Sequence, residues 1–172
     1  MQTLDVNFLS PETGVFVTGT DTGIGKTHAS AALLRAMRVA GRRVQGMKPV
    51  ASGCEWIDGQ WQNEDALALR AAAASTADYA LVNPCALPLA TAPQIAAREA
   101  GVTLAIPPLE AAHAALVSVS EFVLVEGVGG WLAPLSDTMD QSMLVKALDI
   151  PIFFCVTLAR RTNNRHLIAM LL

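Results

Sequence analysis

The sequence contains few of the residues that mark secreted, membrane-bound or nucleic-acid-binding proteins. Three cysteines occur, and their spacing fits neither a zinc site nor a disulfide framework. Charged residues make up 16% of the chain and the net charge is −3, which gives no indication of a basic surface for nucleic acid. No apolar run reaches the length of a membrane span, and the first residues lack the basic and apolar regions of a signal peptide. We therefore expect a cytoplasmic protein with no membrane or nucleic-acid partner.

Aromatic residues are also scarce, at 5%, whereas apolar residues as a whole make up 52% of the 172 residues. An alanine-rich composition of this kind is typical of closely packed, helix-rich globular proteins and not of disordered chains. From the length we expect a single domain over residues 1–172.

Short apolar runs alternate with stretches of helical periodicity along the chain. The pattern predicts strands at 14–18, 43–47, 121–126 and 151–157, and helices at 26–40, 64–74, 94–100, 108–119 and 140–149. Three prolines predict a largely irregular stretch over 78–93. Continuous apolar strands that alternate with helices predict an α/β fold, in which helices cover both faces of a parallel sheet in three α/β/α layers.

Residues 19–27, GTDTGIGKT, lie between a predicted strand and a predicted helix and have the character of a phosphate-binding loop. Glycines let the backbone N–H groups turn inward around phosphate oxygens, and the helix N-terminus adds partial positive charge. Lys26 can reach the terminal phosphates and Thr27 can bind the accompanying Mg²⁺. Five residues instead of the usual four separate Gly19 from Gly25. The alternative is a glycine-rich turn that carries an exposed lysine.

A second segment, KPVASG, follows the predicted strand 43–47. Lys48 would lie beside the phosphate loop, where a second cation can neutralise charge on a transferring phosphoryl group. Ser52 offers a hydroxyl near the same place. The alternative for Lys48 is a solvated surface lysine.

A third segment, EFVLVEGVGG, places Glu126 at the end of a buried strand, with glycines directly after it. A carboxylate there can hold Mg²⁺, and a nearby lysine is the structural alternative as its partner. Asp65 opens a predicted helix, where an acidic residue is also favoured simply by the helix dipole. Because ligands bind beyond the carboxyl ends of parallel strands, we expect the three segments to meet at one edge of the sheet.

Taken together with VNP at 82–84 and VEGVGGWLAPLSD at 125–137, these segments resemble dethiobiotin synthetase, a P-loop nucleotidase. The resemblance extends from about Gly14 to Val156, and the five-residue gap in the phosphate loop is the form seen in that family. It implies an ATP- and Mg²⁺-dependent ring closure in which 7,8-diaminononanoate and CO2 give dethiobiotin, ADP and phosphate. It also implies a homodimer.

The resemblance assigns roles to individual positions of this sequence. Lys48 matches the catalytic lysine, and Ser52 matches a substrate-contacting serine. The residues that match magnesium-associated positions are Thr27, Asp65 and Glu126. The residues that match nucleotide-binding positions are Gly23, Ile24, Gly25, Lys26, Thr27, His28, Asp65, Glu126, Gly127, Val128 and Gly129.

The sequence departs from the family at two places. Gly23 stands where the family commonly has a glutamate. After residue 156 the family pattern stops, the chain continues as TLARRTNNRHLIAMLL, and Arg160, Arg161 and Arg165 form a basic cluster. We expect a truncation or frame change near residue 157, with the family's later strand and its adenine-contacting loop missing and one strand edge uncovered. The alternative is a short, divergent domain.

Three other functions are compatible with parts of the pattern. Partitioning ATPases carry an additional lysine early in the phosphate loop. This chain has Asp21 at that position, which argues against this function. Cobyrinate-type amide synthetases append a glutaminase domain, for which the sequence has no counterpart. An inactive remnant that binds nucleotide without turnover remains an alternative to the enzyme.

Overall fold

The computed structural model describes the backbone of residues 13–159 and 165–171, and it describes side chains from Thr13 to Val156. The elements in chain order are β1 (Gly14–Gly19), α1 (Lys26–Val39), β2 (Val44–Met47), β3 (Val50–Ser52), β4 (Glu55–Ile57), β5 (Gln60–Gln62), α2 (Glu64–Ala73), α3 (Tyr79–Val82), β6 (Cys85–Leu87), α4 (Pro93–Glu99), α5 (Ile106–Ser118), β7 (Phe122–Glu126), α6 (Gln141–Leu148), β8 (Ile152–Ala159) and β9 (Arg165–Leu171). No helix in these ranges combines the length and apolar character needed to cross a membrane.

A five-stranded sheet with the order β2-β7-β1-β8-β9 forms the centre of the molecule. In this sheet β2, β7, β1 and β8 run parallel to one another, and β9 pairs antiparallel with β8. Val17 pairs with Glu126, and Met47 pairs with Val125. These registers bring the carboxyl ends of β1, β2 and β7 to one edge of the sheet.

Helices cover both faces of this sheet, because alternate strand residues point to opposite sides. On one face, strand residues pack against α1 and α2 in a cluster that includes Val15, Val17, Leu34, Met37, Leu69, Phe122 and Leu124. On the other face, strand residues pack against α5 and α6 in a cluster that includes Phe16, Leu109, Leu116, Val123, Val125 and Leu144. The three-layer α/β/α prediction is therefore confirmed.

The largely irregular stretch predicted over 78–93 is partly wrong. It contains the helix α3 and the strand β6, which pairs parallel with β3 in a separate two-stranded sheet. The three prolines lie at element boundaries instead of interrupting structure. Pro84 precedes β6, Pro88 follows it, and Pro93 is the first residue of α4, where a missing N–H costs nothing.

A small hairpin formed by β4 and β5 was not predicted. Its two-residue turn, Asp58–Gly59, has positive φ at both positions, 51° and 82°, as a type I′ turn requires. Trp56 and Trp61 pair across its strands with edge-to-face rings whose centroids are 5.2 Å apart. The hairpin lies between Ser52, at the end of β3, and the start of α2.

The prediction of an uncovered strand edge after residue 156 is wrong. The β9 backbone pairs antiparallel with β8 along the register from Phe153–Leu171 to Ala159–Arg165, so its hydrogen bonds cover the outer edge of β8. Arg160 and Arg161 of the predicted basic cluster lie outside the described residues, and Arg165 is the first residue of β9.

Candidate active site

The loops that follow β1, β2 and β7 contact one another directly. Trp131 donates its backbone N–H to the Gly19 carbonyl at 3.0 Å, and Lys48 donates Nζ to the Gly127 carbonyl at 3.2 Å. A side chain at Gly130 would lie 2.8 Å from the Thr20 carbonyl oxygen. The predicted convergence of the three segments at one edge of the sheet is therefore found.

The loop over residues 19–27 leaves the first turn of α1 without a side-chain cap. Gly25 occupies the N-cap position in the left-handed conformation, with φ of 95°, and makes no side-chain hydrogen bond to the helix. The leading N–H groups of α1 are therefore available to an anion. Lys26 donates Nζ to the Asp21 carbonyl at 2.6 Å and is only 6% exposed, which contradicts the alternative of an exposed lysine.

Lys48 lies at the centre of the site. Its ammonium donates to Asp65 Oδ2 at 2.9 Å, to Glu126 Oε1 at 2.8 Å and to the Gly127 carbonyl at 3.2 Å. An ammonium has three protons, so these acceptors satisfy it completely. The residue is 3% exposed, which contradicts the alternative of a solvated surface lysine.

The Thr27 hydroxyl lies between the same two carboxylates. Its Oγ1 is 2.7 Å from Asp65 Oδ1 and 2.8 Å from Glu126 Oε1. A hydroxyl has one proton to donate, so it can satisfy only one of these carboxylates at a time. The three side chains form a compact group of oxygen atoms.

Burial and neighbouring charges act together on the pKa values of Lys48, Asp65 and Lys26. Burial alone would lower the pKa of Lys48, but attraction to Glu126 and then Asp65 outweighs it and raises the pKa. Burial works to raise the pKa of Asp65, but Lys48 outweighs it and lowers the pKa. The pKa of Lys26 is lowered by burial and by repulsion from Lys48. A bound anion beside Lys26 would favour its charged form and so raise its pKa again.

The oxygen group fits a magnesium ion. Glu126 is fully buried, and its Oε2 atom has no hydrogen-bond partner. An orphaned buried carboxylate oxygen is costly, and a cation is one group that would satisfy it. Mg²⁺ favours one or two carboxylates, with substrate phosphates and waters completing its shell. Within the described residues no cluster of three His, Cys, Asp or Glu side chains occurs, so nothing favours a zinc-type ligand set.

Gln141, which was not singled out from the sequence, supports the glycine-rich segment after β7. Its Oε1 accepts the Val128 N–H at 2.7 Å, and its Nε2 donates to Thr18 Oγ1 and to the Gly130 carbonyl, each at 3.0 Å. Gln141 is 1% exposed at the start of α6, and the absence of a side chain at Gly127 makes room for it. A polar residue at a helix start is ordinarily exposed, so this role of Gln141 could not be predicted from the sequence.

The remaining predicted positions lie in the phosphate loop, the first turn of α1, the end of β3 and the segment after β7. Gly23, with φ of 72°, and His28 are exposed in the loop and first turn, and Ile24 is half-buried. Gly129 has a φ of 59° and faces the loop residue Thr22. Ser52 ends β3, and its hydroxyl makes no hydrogen bond to another described residue. Its assignment to substrate therefore stays a prediction.

The sequence matches a protein family described as an AAA domain over residues 13–171. It is 58% identical over 141 residues to a protein named ATP-dependent dethiobiotin synthetase BioD from Xanthomonas euvesicatoria pv. vesicatoria, which covers 82% of this chain and 63% of that relative. It is 58% identical over 143 residues to the protein of the same name from Xylella fastidiosa strain 9a5c, covering 83% of this chain and 63% of the relative.

These relatives confirm the resemblance that the motifs carry. The chain spans 63% of the length of these curated relatives. The family match over residues 13–171 contains the phosphate loop, Lys48, Asp65 and Glu126. Since the family match extends from β1 through β9, this chain belongs to the AAA domain family and is a relative of the dethiobiotin synthetases.

Proposed function

We propose that this protein is a dethiobiotin synthase, which closes the ring of 7,8-diaminononanoate with CO2 at the expense of ATP and with the help of Mg²⁺. One amine takes up CO2 as a carbamate and releases a proton. A carbamate oxygen takes the terminal phosphoryl group of ATP, and ADP leaves. The second amine then attacks the carbonyl carbon, phosphate leaves, and the cyclic urea of dethiobiotin forms.

The observation that supports this proposal is the meeting of Lys48, Thr27, Asp65 and Glu126 beside the phosphate loop, with all contacts between 2.7 and 2.9 Å. With Lys26, the formal charges of the cluster sum to zero. A triphosphate and a carbamate are both anionic, so the reaction needs cations that bring them together and neutralise the charge that develops between them.

The chain's own residues divide this task. The loop N–H groups and Lys26 hold the phosphates of ATP, because they form an uncapped helix start with a buried ammonium. Lys48 adds a second positive charge beside the phosphate loop, which stabilises the charge that develops on the transferring phosphoryl group and the carbamate. Gln141 keeps the glycine-rich segment close to the loop, so the site retains its shape.

Thr27, Asp65 and Glu126 would hold the magnesium ion. When bound, Mg²⁺ neutralises charge on the terminal phosphates and so favours transfer to a nucleophile. The orphaned Glu126 oxygen is the ligand that most needs such a partner.

Ser52 is proposed to contact the diamine, because it follows Lys48 by four residues and has a free hydroxyl within the described structure. By analogy with the dethiobiotin synthetases, we also propose that the protein acts in the cytoplasm as a homodimer. Light scattering on the purified protein tests the homodimer directly.

The reaction is tested by measuring phosphate release and ¹³C-bicarbonate incorporation into dethiobiotin with ATP, Mg²⁺ and the diamine. The expected result is phosphate release that requires the diamine and matches the product formed. Lys26→Met and Lys48→Met should each reduce turnover by at least about 100-fold. Lys146→Met removes the third lysine, an exposed one on α6, and should leave turnover unchanged. Nucleotide binding without diamine-dependent turnover would refute the proposal and favour an inactive remnant.

A further inference from the structure

A chain of buried hydrogen bonds joins the backbone of Lys48 to the start of α2, where Asp65 lies. Asn83 donates Nδ2 to the Lys48 carbonyl at 2.6 Å and accepts the Tyr79 hydroxyl proton at Oδ1 at 3.1 Å. The Tyr79 oxygen accepts the Asn63 N–H at 2.8 Å. Asn63 Oδ1 in turn accepts the Asp65 N–H at 3.1 Å, capping α2. We name this chain of contacts from Lys48 through Asn83, Tyr79 and Asn63 to Asp65 the Tyr79–Asn83 relay.

The Tyr79–Asn83 relay and the Lys48–Asp65 ion pair connect the same two residues by two separate routes. Lys48 Nζ reaches Asp65 Oδ2 at 2.9 Å, so these two residues are joined through their side chains on one side and through the relay on the other. The polar side-chain atoms of Tyr79 and Asn83 are all engaged in hydrogen bonds in this arrangement. The Asn83 amide uses both its donor and its acceptor, and the Tyr79 hydroxyl donates once and accepts once.

Burial makes this arrangement costly to disturb. Asn63, Tyr79 and Asn83 are 7%, 4% and 3% exposed, so a broken bond leaves a polar group without water to replace its partner. The backbone of Lys48 is held on its other side as well, because its N–H donates to the Val82 carbonyl at 2.7 Å. The peptide groups of Lys48 are therefore fixed by two consecutive residues, Val82 and Asn83.

The connecting chain cannot supply this rigidity. Lys48 and Asp65 are 17 positions apart, and the residues between them include the exposed hairpin of β4 and β5. The Tyr79–Asn83 relay bypasses the hairpin and ties the two residues together through the interior. A lysine has a flexible four-carbon stem, so the position of its ammonium depends on where its backbone is held.

We propose that Tyr79 and Asn83 are positioning residues that set the Lys48 ammonium against Asp65. This inference rests on the proposed function for its effect on turnover, and on the geometry alone for its effect on Lys48. Neither side chain forms a hydrogen bond to the phosphate loop or to the side chains of the predicted magnesium ligands in the described part of the chain. Their influence is exerted through the Lys48 carbonyl and the α2 cap.

The test removes only the relay hydroxyl, with Tyr79→Phe, and compares it with Leu116→Val, which loses buried volume in α5 but removes no hydrogen bond of the relay. The readout is proton exchange at the Lys48 ammonium, followed by ¹⁵N NMR. The sequence contains three lysines, so the signals can be assigned with Lys26→Met and Lys146→Met. We expect exchange at Lys48 to accelerate at least about fivefold in Tyr79→Phe and to stay unchanged in Leu116→Val.

Turnover provides the second readout. In Tyr79→Phe we expect kcat to fall about tenfold or more while KM for ATP is unchanged, because the ammonium is displaced but the phosphate loop is not. Asn83→Ala, which breaks two relay bonds, should show both effects more strongly. If Tyr79→Phe alters Lys48 exchange no more than Leu116→Val does, the relay serves only folding and the inference is wrong. Wild-type protein that lacks diamine-dependent turnover would refute the proposed function, and Lys48 exchange would still decide the positioning role.

Discussion

Lys48 illustrates how much of this site depends on one buried charge. Its ammonium is the common partner of Asp65 and Glu126, and it replaces the water that those carboxylates lose on folding. Taken by itself, the sequence around Lys48 favoured a solvated surface lysine, which the burial of the residue contradicts, because strand position does not reveal burial of a long side chain. The hydrogen bond between Thr27 and Asp65 could not be predicted from spacing either, because the two residues are 38 positions apart. An acidic residue at the start of a helix is also common without any role in a site.

The pairing predicts how stability depends on pH. Because folding lowers the pKa of Asp65, its stabilisation is complete above the ordinary carboxyl value of 3.8 and is lost as pH falls through the lowered native pKa. Because folding raises the pKa of Lys48, its contribution is complete below 10.5 and is lost as pH rises through the raised value. The difference in unfolding free energy between wild type and Asp65→Asn should therefore be flat from about pH 5 to about pH 9.

Urea unfolding from pH 3 to pH 10 measures this difference, with buffers of equal ionic strength. The difference should shrink only toward the acidic end, where Asp65 becomes protonated in the native protein. A change centred near neutral pH would contradict the assignment of charges in the cluster.

The position of α2 is set by a glycine in the neighbouring strand. A Cβ atom at Gly46, in β2, would lie 2.8 Å from Leu69 Cβ and 3.3 Å from the Leu69 backbone carbon. These atoms belong to the helix itself, so a shorter side chain at Leu69 could not relieve the contact. Since Asp65 lies on the same helix, the close approach of α2 to β2 brings its carboxylate within reach of Lys48.

Gly46→Ala should therefore affect both stability and the site. We expect a loss of about 1–3 kcal/mol in unfolding free energy, because an extra methyl group forces α2 outward. Magnesium-dependent ATP binding, measured by calorimetry, should weaken as Asp65 moves. Gly41→Ala is the matched control, because Gly41 has open space around it and is strained only by its φ of 85°. It should lower stability without changing ATP binding, and equal effects on ATP binding in both variants would refute the argument.

The main helices and strands could be predicted because apolar periodicity is a local signal. All predicted strands and helices are present with shifts of at most two residues, apart from those in the stretch 78–93. The β4–β5 hairpin had a readable signal, the Asp58–Gly59 pair between two short tryptophan-containing runs, which favours a type I′ turn. The pairing of β9 with β8 had no such local signal, because strand direction is decided by long-range packing.

Nucleotide binding should stabilise the whole molecule, because the site unites segments from β1, β2, α2 and β7. At ATP concentrations 100 times the dissociation constant, with Mg²⁺ present, binding contributes about 2.7 kcal/mol to unfolding free energy. For a chain of this size that corresponds to a rise in melting temperature on the order of 5–10 °C.

Differential scanning calorimetry measures this rise in the full chain. Lys26→Met should reduce it strongly, because the variant lacks the loop ammonium, whereas Lys146→Met should match the wild type. An unchanged melting temperature at saturating ATP and Mg²⁺ would contradict nucleotide binding at this site.

The strand order has a consequence for how the protein is made. β1 and β2 are consecutive in the chain, but β7 separates them in the sheet, and β7 leaves the ribosome only after α1 to α5 have been synthesised. Until then the nascent chain holds two strands whose facing edges have no partner, a condition that invites association with other chains. The synthesis of Phe122–Glu126 is thus the moment at which the growing polypeptide first becomes able to join β1 and β2 into one sheet. A pause in translation before that point would lengthen the period in which chaperones are needed.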